Sequence, residues 1–96
     1  MYTEFESVHN FLEQEVFREV TDRVPSFPEF AGNIELLADV ACLALNRLPP
    51  RYIRNSVDMQ FFMSNEARGK LNAAVGNAVD YAFRFMQSRV PSAAAK

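Results

Sequence analysis

Residues 34–54 read IELLADVACLALNRLPPRYIR, and this stretch decides the fold. From Ile34 to Asn46 nearly every position is apolar, broken only by Glu35, Asp39 and Asn46. A helix apolar on all sides has to be covered on all sides, so the pattern predicts a central helix in a bundle or a dimer. Asn33 stands where a helix N-cap belongs, because a short polar side chain there can accept a hydrogen bond from a free first-turn N–H. Pro49 ends the helix and constrains Leu48 before it, and Pro50 stiffens the exit. Three arginines, Arg47, Arg51 and Arg54, leave the helix end along this rigid path.

The flanking segments supply the cover. Thr3 and Glu6 have the spacing of a capping box, and Phe5, Val8, Leu12, Val16 and Val20 recur at helical intervals. They predict a first helix over residues 4–23, with Phe11, Phe17 and Val24 as a second partial stripe. Two prolines and a glycine between Val24 and Gly32 predict a loop. Val57, Met59, Phe61 and Met63 alternate weakly, which predicts a short extended segment within residues 55–63. Ser64 or Asn65 caps a third long helix that runs to Val90 and Pro91. Its predicted stripe is Leu71, Ala74 or Val75, Ala78, Ala82 and Phe85, with Gly69, Ala73 and Gly76 forming a small-residue face for close helix approach. The expected architecture is therefore all-α: a single-domain bundle of three main helices and a short extended segment, over residues 1–91, with residues 92–96 as a disordered tail.

Composition narrows the function classes. Ninety-six residues, 49% of them hydrophobic and nine of them Phe, make one small core. No apolar run approaches the roughly 20 residues of a membrane span, and the acidic start lacks a secretory pattern, so a soluble cytoplasmic protein is expected. A net charge of −2 argues against general DNA binding, which rests on many cations. Cys42 is the only cysteine and His9 the only histidine, a poor set for structural zinc, so no metal is expected. Cys42 reads as a small core residue and His9 as a surface residue. No nucleophile elbow, phosphate-binding loop or paired His–Glu zinc spacing occurs, and the first helix's carboxylates sit among its polar positions. Enzymatic activity is not expected. The charges are nevertheless uneven: acids dominate up to Asp39, and between Asp39 and Asp58 there is no acid at all, only Arg47, Arg51 and Arg54.

That cationic turn suits a small anion. Arginine can hold a phosphate or the O6 and N7 edge of guanine through two N–H groups, and the Tyr52 ring can stack on a base. The same pattern also fits plain helix punctuation, since a cation near a helix C-terminus is favourable and Pro-Pro simply ends the helix. The segment Ala-Leu-Asn-x-Leu-Pro-Pro-Arg-Tyr at residues 44–52, within 39–52, resembles the signature of the late competence development protein ComFB family. Asn10, Glu13 and Val16 are similar to that family's Asn-x-x-Glu-x-x-Val opening.

The resemblance implies an all-helical homodimer and a cytoplasmic, non-enzymatic receptor for cyclic dinucleotides, cyclic di-GMP above all and cyclic di-AMP second, in bacterial signalling linked to competence. Some members carry cysteines before the Ala-Leu-Asn motif that look able to hold zinc; this chain has only Cys42, so no metal is carried over. The expected ligand-binding residues are Arg47 and Arg51 on phosphate or guanine, Tyr52 at the site edge, and Arg54 as added charge. Asp39 either accepts from guanine N1 and N2 or is a solvated or ion-paired helix residue. Asn46 either caps its helix in the left-handed conformation or contacts ligand. Arg68, Lys70 and Arg84 read as a solvated face, with Arg68 placed to close over an anion. The alternative is a helical dimerisation or adaptor module that binds another protein through Phe27, Phe30, Phe61 and Phe62 and takes no nucleotide.

Overall fold

The computed structural model describes residues 3–55 and 63–89. The predicted segment within 55–63 falls mostly outside these residues, as do Phe61, Phe62 and the predicted tail. Three helices make the body: α1, Leu12–Arg23; α2, Ile34–Asn46; and α3, Asn65–Arg89. Each packs against the other two. Single-turn 3-10 segments fill Thr3–Ser7, Val24–Ser26 and Pro28–Phe30, and two two-residue strands pair antiparallel: β1, His9–Asn10, with β2, Tyr52–Ile53.

The predicted limits of α2 are met, and its cap is made as expected: Asn33 Oδ1 accepts from the Leu36 N–H at 3.1 Å. Gly32 precedes it at φ +81°, a left-handed turn that a side chain would strain. Ser64 Oγ accepts from the Ala67 N–H and caps α3. The first helix, by contrast, starts at Leu12 and not at residue 4. Asn10 and His9 are drawn into the strand pair, and Phe5 and Val8, counted in the predicted stripe, are exposed. The local capping pattern loses to the tertiary pairing with Tyr52 and Ile53. His9 is correspondingly half-buried, its Nδ1 2.7 Å from the Ser7 carbonyl.

The core gathers Leu12, Val16 and Val20 of α1, Val40 and Ala44 of α2, and Val75, Val79, Ala82 and Phe83 of α3. On α3 the predicted Leu71, Val75, Ala78 and Ala82 are buried, joined by Val79 and Phe83, whereas Ala74 is exposed and Phe85 half-buried. The loop between α1 and α2 is part of the core. Phe27 stacks on Phe83 with ring centroids 4.4 Å apart, and Phe30 meets Phe83 edge-on at 5.2 Å. With Phe27 and Phe30 both buried, the Phe-rich surface expected of an adaptor is not there at these two positions. Aromatic rings follow apolar burial whether or not their segment is helical, and two prolines hold this loop in short turns that face inward.

The small-residue face of α3 divides. Gly76 is buried, and a Cβ there would lie 3.1 Å from Arg23 Nη2. That guanidinium is held by Glu19 at 2.6 Å and Asp80 at 3.2 Å, so Gly76 admits the end of α1. Gly69 and Ala73 are exposed, and nothing described lies within 4 Å of an added Cβ at Gly69. Gly69→Ala should therefore stabilise the protein by about 0.5–1 kcal/mol, the intrinsic helix gain. Gly76→Ala should gain less or lose, because the fixed Arg23 opposes it. Urea midpoints of the two variants check this, and equal gains would contradict the assigned role of Gly76.

Candidate functional site

The site begins where α2 stops. Arg47 is its C-cap, at φ −94° and ψ −1°, and its N–H donates to the carbonyls of Ala44 and Leu45. The Leu48 N–H donates to the Leu45 carbonyl, and the Leu48 side chain is buried, which pins the turn to the core. Asn46 does not take the left-handed cap conformation: among the described residues only Gly32 has positive φ. A tightened last turn closes this helix instead, and the Asn46 amide lies 3.8 Å from Cys42 Sγ one turn back.

Beyond Pro49 and Pro50 the chain is tied to the start of α1 by its backbone. Asn10 Oδ1 accepts from the Arg51 N–H at 2.9 Å and from the Leu12 N–H at 3.1 Å. The Arg51 carbonyl accepts from the Phe11 N–H at 2.6 Å. Both backbone groups of Arg51 are thus used while its side chain remains exposed. Tyr52, 68% exposed, follows opposite Asn10 in the strand pair.

The six sequence-predicted residues do not form one cluster. Arg47 turns toward α3, its Cζ 3.7 Å from the centroid of the Tyr81 ring. It lines a pocket of about 260 Å³ with Leu48, Pro49, Ala74, Asn77 and Ala78. Asn46 faces the other way, into a groove of about 690 Å³ between α1 and α2 that Asn10, Phe17 and Ile34 also line. Asp39 is exposed on α2, about 12 Å from Arg47 along the axis at 1.5 Å per residue. Arg54 reaches Glu4 at 3.6 Å with both side chains well exposed, an ion pair of little energetic weight. Arg47 and Arg51 have no carboxylate within ion-pair distance among the described residues.

Cys42 is exposed and lines the α1–α2 groove, contrary to its reading as a core residue. A helix apolar all round gives no sign of which face is left open, and in this chain it is the face carrying Ile34, Ala38 and Cys42. Arg84, read as part of a solvated face, pairs with Asp80 at 2.9 Å and lies 5.6 Å from the Phe27 ring centroid. No group of three or more His, Cys, Asp or Glu side chains gathers among the described residues, and none of their helices is long and apolar enough to cross a membrane.

The combination of Asn10 at the head of α1 with the Asn46–Tyr52 exit of α2 coincides with a known family pattern: the family model for late competence development protein ComFB matches residues 9–90. The chain belongs to the ComFB family. The match begins at the strand pair and takes in all three helices, so it spans the site and its support together. Comparison with curated proteins and with solved structures finds no significant match. Family membership connects the chain with competence development.

Sequence reasoning missed Tyr81 and Asn77. They stand four residues apart on α3 and so share a face, but nothing in their local pattern connects them to Arg47, which approaches from another helix. Asn10 had a signal, its place in the family's opening motif, though not its task. Asn10→Ala should cost about 1–2 kcal/mol, the sum expected for a lost cap and an unpaired Arg51 N–H. Asn10→Asp, which keeps the acceptor, should lose much less. Chemical denaturation of both variants measures the difference, and equal losses would contradict the acceptor role.

Proposed function

We propose that this ComFB-family protein is a non-enzymatic cytoplasmic receptor that binds a cyclic dinucleotide, cyclic di-GMP in preference to cyclic di-AMP, at the Arg47–Arg54 turn. The observation that carries the reading is the pair of arginines with no carboxylate partner among the described residues, Arg47 and Arg51, held on a turn whose backbone has little freedom to lose. Leu48 is buried on one side of Pro49 and Pro50, and on the other both backbone groups of Arg51 are bonded to the head of α1. The backbone beneath both side chains is fixed before binding, so less has to be ordered, and each guanidinium can make two charge-assisted bonds to phosphate or guanine. Tyr52, exposed beside Arg51, offers a ring for a base. Asp39 and Asn46 have a smaller part, because they do not line the Arg47 pocket.

The family resemblance extends the proposal to a homodimer, in which a two-fold ligand with two phosphates can meet two copies of the turn. Signalling then requires that the ligand bind one state of the protein better than another. One observation favours the adaptor reading as well: the α1–α2 groove leaves Ile34 81% and Phe17 43% exposed. In that reading the groove takes another protein and the turn takes no nucleotide.

Calorimetric titration with cyclic di-GMP, cyclic di-AMP and the linear dinucleotide separates the two. Binding of cyclic di-GMP to the wild type is expected, weakened about tenfold or more in Arg47→Ala and in Arg51→Ala, since a hydrogen bond to a charged group contributes about 1.5–3 kcal/mol. Circular dichroism should show both variants folded. No heat with any of the three ligands sinks the receptor reading in favour of the adaptor.

A further inference from the structure

Arg47 heads a column of stacked groups along the outer face of α3. Its guanidinium lies over Tyr81, the Tyr81 ring stacks on Phe85 with centroids 5.9 Å apart, and the Arg89 guanidinium covers Phe85 at 4.8 Å. Positions 81, 85 and 89 succeed one another by four, so the helix itself sets the column. A guanidinium laid flat on a ring is attracted by the ring's negative face and restrained in its plane, while its N–H donors point outward along the edge. None of the donors of Arg47 makes a side-chain hydrogen bond or an ion pair among the described residues.

That edge lies at the pocket of about 260 Å³ lined by Pro49, Ala74, Ala78 and Asn77. The volume is below the roughly 300–1,000 Å³ of a site for a whole drug-sized ligand, so it suits one base of a dinucleotide. Ala74 and Ala78 leave room beside α3, and Pro49 contributes a rigid apolar wall. Asn77, exposed on the same helix face as Tyr81, brings one amide with both a donor and an acceptor.

We propose that Tyr81 and Asn77 are the specificity-determining residues of this site: Tyr81 fixes the Arg47 guanidinium so that it reads a guanine base in the 260 Å³ pocket, and Asn77 makes the second polar contact. This rests on the receptor reading and deepens it. An arginine only donates, which matches the O6 and N7 acceptors of guanine; adenine presents an amino donor where guanine has O6, and leaves one donor of a fixed guanidinium unpaired. A mobile arginine would reach phosphate on either ligand and lose the distinction. Tyr81 thus acts through Arg47 as a positioning residue, and Asn77 touches the base.

The test titrates cyclic di-GMP and cyclic di-AMP into the wild-type 96-residue chain, Tyr81→Leu, Tyr81→Phe and Asn77→Ala. Tyr81 is 40% exposed, so leucine should be tolerated in the fold, and thermal melts monitor this. The expected result is a loss of about tenfold or more in cyclic di-GMP affinity for Tyr81→Leu, the scale of one bidentate base contact, with a much smaller loss for cyclic di-AMP. Tyr81→Phe, which keeps the ring, should restore most of the affinity and the preference. Asn77→Ala should weaken cyclic di-GMP in the same direction. In the unliganded protein the Arg47 Hδ protons should show a ring-current shift that Tyr81→Leu abolishes. If the wild type binds cyclic di-GMP and Tyr81→Leu binds both ligands as the wild type does, this inference is overturned while the receptor reading stands. If the wild type binds neither ligand, both fall.

Discussion

One side-chain oxygen joins the head of α1 to the exit of α2. Asn10 Oδ1 accepts from the Leu12 N–H, at the first turn of α1, and from the Arg51 N–H, just past the end of α2. Each of these backbone donors would otherwise be left without a partner at an element boundary. Because one acceptor serves both, the start of α1 and the exit of α2 have a common position, and the strand pair His9–Asn10 with Tyr52–Ile53 grows from that point. Aspartate could replace the acceptor, but no apolar residue could. The same contact explains why α1 begins at Leu12: the residues before it are committed to a partner more than forty positions away.

Given that anchor, the arginine turn needs little else to be rigid. Leu48 is buried, Pro49 and Pro50 have fixed φ, and the Arg51 backbone is bonded on both sides. Two cations then emerge in different settings. Arg47 lies back on α3 and is oriented by an aromatic ring; Arg51 extends from the strand pair with its side chain exposed. Arg54 differs from both because it has a carboxylate neighbour in Glu4. This division bears on how the turn can act. Polar groups fixed before the ligand arrives save the entropy of arranging them, and a fixed guanidinium discriminates between bases where a mobile one only supplies charge.

The remainder of the fold supports this edge from behind. Phe27 and Phe30 reach into the bundle to pack on Phe83, so the loop that joins α1 to α2 is part of the core and is tied to α3. Gly76 lets Arg23 close the far end of α1 against α3 through Glu19 and Asp80. On the opposite side, α1 and α2 leave an apolar groove with Ile34 and Cys42 at its surface. The same helix pair therefore has a cationic edge at one end and an apolar face along its length.

The sequence by itself determined the helices whose signals are local. Asn33 and Ser64 announce their caps, Pro49 ends α2, and the run from Leu36 to Leu45, apolar but for Asp39, identifies the central helix, because capping and proline geometry involve only residues within a turn of one another. It also identified the cationic exit and, through the Ala44–Tyr52 motif, the ComFB family. Tertiary structure alone decided which face of α2 stays open, since a helix apolar on all sides carries no periodic signal of its neighbours. It moved the start of α1 from residue 4 to Leu12, placed Phe27 and Phe30 inside, and separated Asp39 and Asn46 from the Arg47 pocket. Above all it brought Tyr81 beneath Arg47: that contact joins side chains 34 positions apart on different helices, and only the packing of α2 against α3 creates it.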